Sequence, residues 1–201
     1  MYGAAPAHPT ERKHMPRYLV SGIAELVSGV AAVLREHEAE VVEVDDIDDV
    51  PRVCADAGPA AFDGYVQLPA SFTVQGDTAV TRVHHFFAEG VLARFPAVAA
   101  ALPSLKPDGR LTFVTGVLPP DVSTEDDVAA RAALLRILGQ AAQADAANGL
   151  RVCTVGSGAT PKDIALTAMG RNSDSRSFTT EPDESYAEWR IELLGMMWAE
   201  T

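Results

Sequence analysis

The chain has 201 residues, of which 28 are acidic and 16 basic, so its formal charge at pH 7 is −12. This length favours a single domain, and 47% hydrophobic with 22% charged residues is typical of a packed globular core. The acidic balance argues against non-specific nucleic-acid binding and against docking on anionic lipid, because both need clustered Lys and Arg.

The start of the chain differs in composition from the rest. Residues 1–16 carry Ala, Pro and mixed charge without an apolar signal-peptide core, so we expect a disordered tail, with Met15 as an alternative start. Residues 17–201 are expected to form one domain. We find no run of the ~18 apolar residues that a spanning helix needs. Cys54 and Cys153 lie in apolar contexts typical of buried thiols, and we expect a cytoplasmic protein.

Short β-rich runs alternate with helical patterns along the chain. Strands are predicted at residues 17–21, 40–45, 64–68, 110–115 and 150–155. Helices are predicted at residues 24–37, 78–102, 123–148 and 182–199, with one or two helical turns inside 48–57. Strands separated by helices predict a parallel sheet covered on both faces, which is an α/β fold.

Two of the predicted helices carry specific boundary signals. Pro96 is expected to break or kink the helix at 78–102. The buried side of this helix is predicted to carry Phe86, Phe87, Val91, Leu92 and Phe95. The helix at 123–148 opens with Ser123 and Asp126 at capping-box spacing and is expected to end at Gly149.

Three segments in the second half of the chain resemble the short-chain dehydrogenases/reductases. They are PSLKPDGRLTFVTG at 103–116, ARAALL at 130–135 and GLRVCTVGSG at 149–158, within a resemblance that spans about residues 17–165. The resemblance implies a Rossmann-like, doubly wound sheet, a nicotinamide cofactor and a Ser/Tyr/Lys catalytic group. About eighteen residues separate the second and third predicted strands, where the family fits a helix and a strand. We therefore expect a sheet trimmed to about five strands.

The cofactor positions depart from the family pattern. In the family's Gly-x-x-x-Gly-x-Gly turn, Gly22 matches the first glycine, whereas Leu26 and Ser28 occupy the other two places. A Leu side chain fills the space through which the backbone approaches the pyrophosphate. Binding of NAD(P) is therefore predicted to be absent or weak, with a dissociation constant above roughly micromolar.

Two further residues occupy cofactor positions in the resemblance. Asp45 ends the second strand, where dinucleotide folds place a ribose-binding acid, but an acidic loop with Asp46, Asp48 and Asp49 is the alternative. Gly158, in the Gly-Ser-Gly after the fifth strand, suits a phosphate cradle or a simple turn.

The catalytic positions depart from the family as well. The family's Ser falls at or near Thr115, and its Tyr and Lys fall on Asp127 and Arg131, which also suit an i, i+4 ion pair. A carboxyl cannot replace a phenol as the acid, since its ordinary pKa is ~4 and not ~10. His84 or His85 is the remaining general acid or base, with packing as the alternative. Adjacent helix positions diverge by about 100°, so this pair predicts no metal site.

Three functional hypotheses follow from these residues. The first is an atypical reductase-like enzyme acting on a small, carbonyl-bearing organic substrate, for which classical NAD(P) redox chemistry is not expected. The second is a cofactor-independent cyclase, isomerase or dehydratase, and the third is a non-catalytic binding or scaffold protein. We also expect a homodimer, through the helix at 123–148 or through the apolar stripe of the last helix. The stripe comprises Tyr186, Trp189, Leu193, Met196, Met197 and Trp198.

Overall fold

The computed structural model describes residues 15–69, 74–114, 125–146, 149–156, 159–171 and 177–180. Its strands are β1 (Arg17–Ser21), β2 (Glu40–Val44), β3 (Phe62–Gln67), β4 (Leu105–Val114), β5 (Arg151–Val155) and β6 (Ser177–Thr180). Its α-helices are α1 (Ala24–Glu36), α2 (Val50–Ala57), α3 (Ala79–Phe87), α4 (Arg94–Ala101), α5 (Glu125–Asp145) and α6 (Pro161–Ala168). Shorter helical turns lie at Ile47–Asp49, Ala88–Leu92 and Leu102–Ser104.

The strands form one sheet in the order β2-β1-β3-β4-β5-β6. Strands β1 to β5 are all parallel, which confirms the predicted Rossmann-like sheet of five parallel strands, and β6 pairs antiparallel with β5. Dinucleotide-binding folds have the strand order 3-2-1-4-5-6. If their third strand is removed and the later strands are renumbered, the order becomes 2-1-3-4-5, which is the order of the parallel strands here. The reversal of strand order therefore lies between β1 and β3.

Helices cover both faces of the sheet. Helices α2, α4 and α5 bury Cys54, Val98 and Leu135 on one side, which we call the α4 face. Helices α1 and α6 bury Val30 and Ile164 on the other side, which we call the α1 face. Both cysteines are buried, as expected, and neither forms a disulfide among the described residues.

The predicted helix at 78–102 is not continuous. It is interrupted by the π-helical turn Ala88–Leu92, which lies before Pro96 rather than at it. Pro96 sits in the first turn of α4, where its missing N–H is not needed for an intrahelical bond. Val91 is buried, as predicted, whereas the predicted burial of Leu92 is wrong, since Leu92 is 50% exposed. A π turn takes up one extra residue, so α4 presents a different face from the one that a continuous helix would present.

The stretch Ala79–Ser104 is long and apolar enough, with a mean hydropathy of 1.3, to cross a membrane by length and composition alone. The sequence analysis did not identify this stretch as a candidate membrane span. Its second half is part of the core, because Ala97, Val98 and Ala101 of α4 pack against the sheet. This packing is that of a core helix in a globular domain, and the composition of the stretch is weak support for a membrane span.

Several elements differ from the predicted boundaries. β4 begins five residues earlier than predicted, and β6 and α6 were not predicted. The signal for α6 was present, since the hydroxyl of Thr160 accepts from the Asp163 amide while the Asp163 carboxylate accepts from the Thr160 amide. The predicted cap at Ser123 and the predicted helix at 182–199 lie outside the described residues.

Candidate functional site

The carboxyl ends of β1 and β3 meet at the reversal of strand order, where ligands bind in open α/β sheets. Backbone hydrogen bonds close the turn between β1 and α1 at this point. The Gly22 amide donates to the Val44 carbonyl over 3.1 Å, and the Ile23 amide donates to the Pro69 carbonyl over 2.9 Å. Two amides of the turn are therefore engaged by neighbouring strand ends.

Gly22 is required by its backbone and by its neighbours. Its φ is 137°, and a Cβ added there would lie 2.6 Å from Leu68 Cβ and 2.8 Å from the Pro69 carbonyl oxygen. The glycine that matches the family's turn is thus in contact with the end of β3. It serves close packing between β1 and β3.

The other positions of the turn do not provide a phosphate cradle. Leu26 and Ser28 lie inside α1, and Leu26 packs against the core of the α1 face. A Cβ on Gly29 would lie 3.1 Å from Pro161 Cγ, so this glycine allows α1 to approach α6. Glu25 adds an acid to the first turn of α1. A pyrophosphate therefore does not fit the described residues of this turn in the family's manner.

The acidic residues after β2 are exposed at the same edge of the sheet. Asp46 accepts a hydrogen bond from the Asp48 amide over 3.0 Å and caps the short helical turn, while Asp49 pairs with Arg52 over 3.0 Å. These contacts support the acidic-loop alternative for Asp46 and Asp49. Asp45 itself directly follows β2 and stays a candidate for contact with a ligand. Among the described residues, no group of three His, Cys, Asp or Glu side chains could hold a metal ion.

Four polar residues form a buried cluster at this edge, on the α4 face, which we call the edge cluster: Ser21, Tyr65, Gln67 and Arg94. The hydroxyls of Tyr65 and Ser21 share a hydrogen bond of 2.8 Å. Gln67 Nε2 donates to the Tyr65 hydroxyl and to the Arg94 carbonyl, both over 3.2 Å. Arg94 Nη1 donates to the Val114 carbonyl over 2.8 Å. The cluster thus ties β1, β3 and β4 to α4.

The edge cluster places a positive charge and an acceptor in the protein interior. All four side chains are at most 2% exposed, and burying the Arg94 cation is costly unless polar groups surround it. Burial raises the pKa of Tyr65 to about 12, so its hydroxyl stays protonated at neutral pH and cannot act as a base. Gln67 Oε1 is buried and has no hydrogen-bond partner within the described part of the chain. An acceptor is therefore left open at the carboxyl edge.

Several residues predicted from the sequence cannot be placed in this geometry. Thr115 and Gly158 lie outside the described residues. The carbonyl of Val114, just before Thr115, is held by Arg94. Asp127 and Arg131 are one helical turn apart in α5, but their side chains lie outside what the structure describes.

The two histidines lie on α3, away from the edge cluster. His84 is exposed, whereas His85 is partly buried and its Nδ1 accepts from the Gln75 amide over 3.4 Å. Ten residues separate His84 from Arg94, which is roughly 15 Å of helix rise. The structure does not bring His84 or His85 into the described contacts of the cluster.

Comparison with known proteins adds one finding. No protein-family model and no curated protein matches the sequence. A small-chain dehydrogenase structure is 22% identical with a TM-score of 0.57, covering 81% of this chain and 92% of that one. A small-chain dehydrogenase in complex with NADPH is 16% identical with a TM-score of 0.56, covering 86% and 94%. Protein lin1944 from Listeria innocua is 20% identical with a TM-score of 0.53, covering 77% and 91%.

The chain has the fold of the short-chain dehydrogenases. At these identities the likeness concerns the fold, and the chemistry has to be read from this chain's own residues. In the short-chain dehydrogenase fold the carboxyl edge holds the ligand, and here that edge carries the edge cluster.

Sequence reasoning missed Arg94 and Tyr65 as members of the site. The contact of Tyr65 with Ser21 joins residues 44 positions apart, so no local pattern contains it. Arg94 did carry a signal, because a lone arginine within the apolar run from Val91 to Val98 predicts a buried or partnered charge.

We predict that Gly22→Ala destabilises the protein more than Gly58→Ala. Both glycines have positive φ, 137° and 81°, but a Cβ on Gly58 would meet open space in the described structure. Gly58→Ala should cost about 1–3 kcal/mol from backbone strain alone, because its φ of 81° and ψ of −176° lie in a region open essentially to glycine, and Gly22→Ala should cost clearly more because of the clash with Leu68. Urea unfolding measures both. Equal losses would show that the contact between the turn and β3 is absent.

We also predict that ionisation of Tyr65 lowers the free energy of unfolding at high pH. Its pKa rises from 10.0 unfolded to about 12 folded, so its contribution is complete below pH 10 and is lost as the pH rises towards 12. The loss is on the order of 3 kcal/mol. Tyr65→Phe should be less stable at neutral pH by about 1–3 kcal/mol, since it strips a partner from Ser21 and Gln67, and it should flatten this alkaline decline. The measurement is the free energy of unfolding as a function of pH. If it falls equally in the natural chain and in Tyr65→Phe as the pH rises above 10, the prediction is contradicted.

Proposed function

We propose that this chain binds a small, carbonyl-bearing organic substrate at its carboxyl edge and converts it without a nicotinamide cofactor. The observation that carries the proposal is the edge cluster, a buried polar group at the reversal of strand order whose Gln67 Oε1 has no partner within the described residues. Open acceptors in protein interiors are rare, and a bound water or ligand is the usual explanation for one.

The proposed chemistry follows from charge and hydrogen bonding. The Arg94 guanidinium puts a positive charge beside the end of β4, where it would stabilise negative charge developing on a substrate carbonyl oxygen. Gln67 Oε1 would accept a hydrogen bond from a substrate hydroxyl. Activation of this kind suits isomerisation, dehydration or cyclisation, in which a carbonyl is polarised and no hydride is exchanged.

Proton transfer is assigned to side chains proposed from the sequence. Tyr65 is protonated and cannot accept a proton at neutral pH. We propose that Thr115, which follows the Val114 carbonyl bound by Arg94, takes part in this step. Asp127 and Arg131 of α5 are proposed for the same site. His85 would take part through Nε2, because its Nδ1 accepts from Gln75, and only if α3 moves towards the edge.

Two alternatives stand beside this proposal. A similar fold in complex with NADPH supports an NADPH-dependent reductase, in which Gly22, Asp45 and Gly158 would line the cofactor. The second alternative is a non-catalytic binding or scaffold protein. In that case the edge cluster would only stabilise the fold. We also propose a cytoplasmic location, supported by two buried cysteines that form no disulfide among the described residues.

The test is to incubate the protein with a panel of aldehydes, ketones and hydroxy-carbonyl compounds. Substrate loss is followed by NMR, and nicotinamide oxidation is followed by absorbance. We expect conversion that does not consume NAD(P)H, and a fall of about tenfold or more in kcat/KM for Gln67→Met. Gln75→Met, at an exposed glutamine, is the matched control. Conversion that consumes NADPH would favour the reductase, and inactivity with every compound would favour the scaffold.

We propose further that the chain forms a symmetric homodimer through α3. None of the nine residues of α3 is buried, and Val80 and Val83 are 79% and 42% exposed. Leu92, at the end of the π turn that follows α3, is also 50% exposed. Two-fold pairing would bury such a surface, and two-fold dimers are the commonest oligomers.

Charge introduced on α3 should therefore dissociate the dimer. We expect light scattering of the natural chain to give about twice the 21.3 kDa of one chain, and Val80→Glu with Val83→Glu to give one chain mass. Ala32→Glu, on the exposed side of α1, should leave the mass unchanged. A mass of one chain for the natural protein at tens of micromolar would reject the proposal.

A further inference from the structure

A row of residues crosses the sheet on the α1 face, near the amino ends of β1, β3 and β5. Tyr18, Gly64, Arg110 and Arg151 are successive neighbours in the strand register. Neighbours in register on parallel strands point to the same face, so the phenol and both arginines share it. A Cβ on Gly64 would lie 2.8 Å from Tyr18 Cε1, which shows that the Tyr18 ring lies over this glycine.

The ends of α1 and α6 add two more polar groups beside this row. The Arg110 guanidinium lies against Gly170, just past the end of α6. Arg171 follows, and its Nη1 is 3.2 Å from Nδ1 of His37 at the end of α1. Burial, and then Asp63, raise the pKa of Tyr18, and the charges of Arg110 and Arg171 offset this rise in part. We call Arg110, Arg151 and Arg171, with Tyr18 and His37, the arginine cluster.

The charge of the arginine cluster is not balanced by acids. None of its three arginines forms an ion pair with Asp or Glu among the residues that the structure describes. Asp63, the acid that acts on Tyr18, already accepts from Lys106 Nζ and from the Arg17 amide, each over 2.8 Å. Three like charges on one face repel one another, although the chain as a whole carries −12. A bound anion would remove this repulsion.

We propose that the arginine cluster binds a small anion of the phosphate type, such as phosphate, pyrophosphate or a phosphate ester. Guanidinium groups match phosphate oxygens with paired hydrogen bonds, and a protonated Tyr18 hydroxyl and His37 supply further donors. A nucleic acid is disfavoured because the net charge of the chain would repel a long polyanion. A small anion needs only the local charge.

The proposed site is separate from the edge cluster. Arg110 precedes Val114 by four residues of β4, which is roughly 13 Å along a strand, and the two clusters lie on opposite faces of the sheet. The anion would link Arg110 of the sheet to Arg171, which follows α6, so its binding should stabilise the fold. The proposal does not depend on the reaction at the carboxyl edge.

The test uses the full chain at low ionic strength and isothermal titration with inorganic phosphate, pyrophosphate and a sugar phosphate. Sodium chloride at matched ionic strength is the reference. We expect saturable binding of at least one probe, weakened roughly tenfold or more in Arg110→Gln and in Arg171→Gln. Arg171 is exposed, so its variant keeps the test valid if Arg110→Gln fails to fold.

Arg52→Gln is the matched control, because it changes the net charge equally and removes an arginine of α2 that already pairs with Asp49. It should bind each probe as the natural chain does. Three results would overturn the proposal: no binding of any probe, unchanged binding in Arg171→Gln, or equal weakening in Arg52→Gln. Stronger binding of the sugar phosphate than of both inorganic anions would identify an ester as the ligand.

Discussion

The hydrogen bond from the Ile23 amide to the Pro69 carbonyl, 2.9 Å long, limits what the carboxyl edge can bind. It draws the turn after β1 onto the end of β3, and Gly22 is the residue that permits this approach. In the short-chain dehydrogenase fold such a turn offers its amides to a pyrophosphate. Here the Gly22 and Ile23 amides of the turn are bonded to the Val44 and Pro69 carbonyls, which supports our proposal of a different chemistry at this edge.

A buried network of polar side chains lies at the same edge of the sheet, on the α4 face. Arg94 and Gln67 link α4 to the ends of β3 and β4, and Tyr65 extends the network to Ser21. Burying these groups costs free energy, which their mutual hydrogen bonds offset only in part because Gln67 Oε1 is left open within the described residues. This open acceptor is why we assign the network to ligand binding rather than to stability alone.

The sequence was sufficient for the parallel sheet but not for the site. Runs such as those of β1 and β5 are apolar and β-branched with helical patterns between them, and the short spacing after β2 predicted the missing strand. Contacts such as Tyr65 with Ser21 depend on strand register, which no local pattern contains. The π turn before Arg94 also has no sequence signal that we recognise, yet it decides which face α4 presents to the sheet.

Amide hydrogen exchange at Ile23 tests the central claim most directly. If the Ile23 amide is bonded to Pro69, it should exchange slowly in the free protein, like the amides within β1, and millimolar NADPH should not change its rate. The amide of Glu25, in the first turn of α1, is the internal reference for a helix-end amide without an intrahelical partner. Rapid exchange at Ile23 that slows when NADPH is added would show that the turn is open to a dinucleotide and would contradict the account.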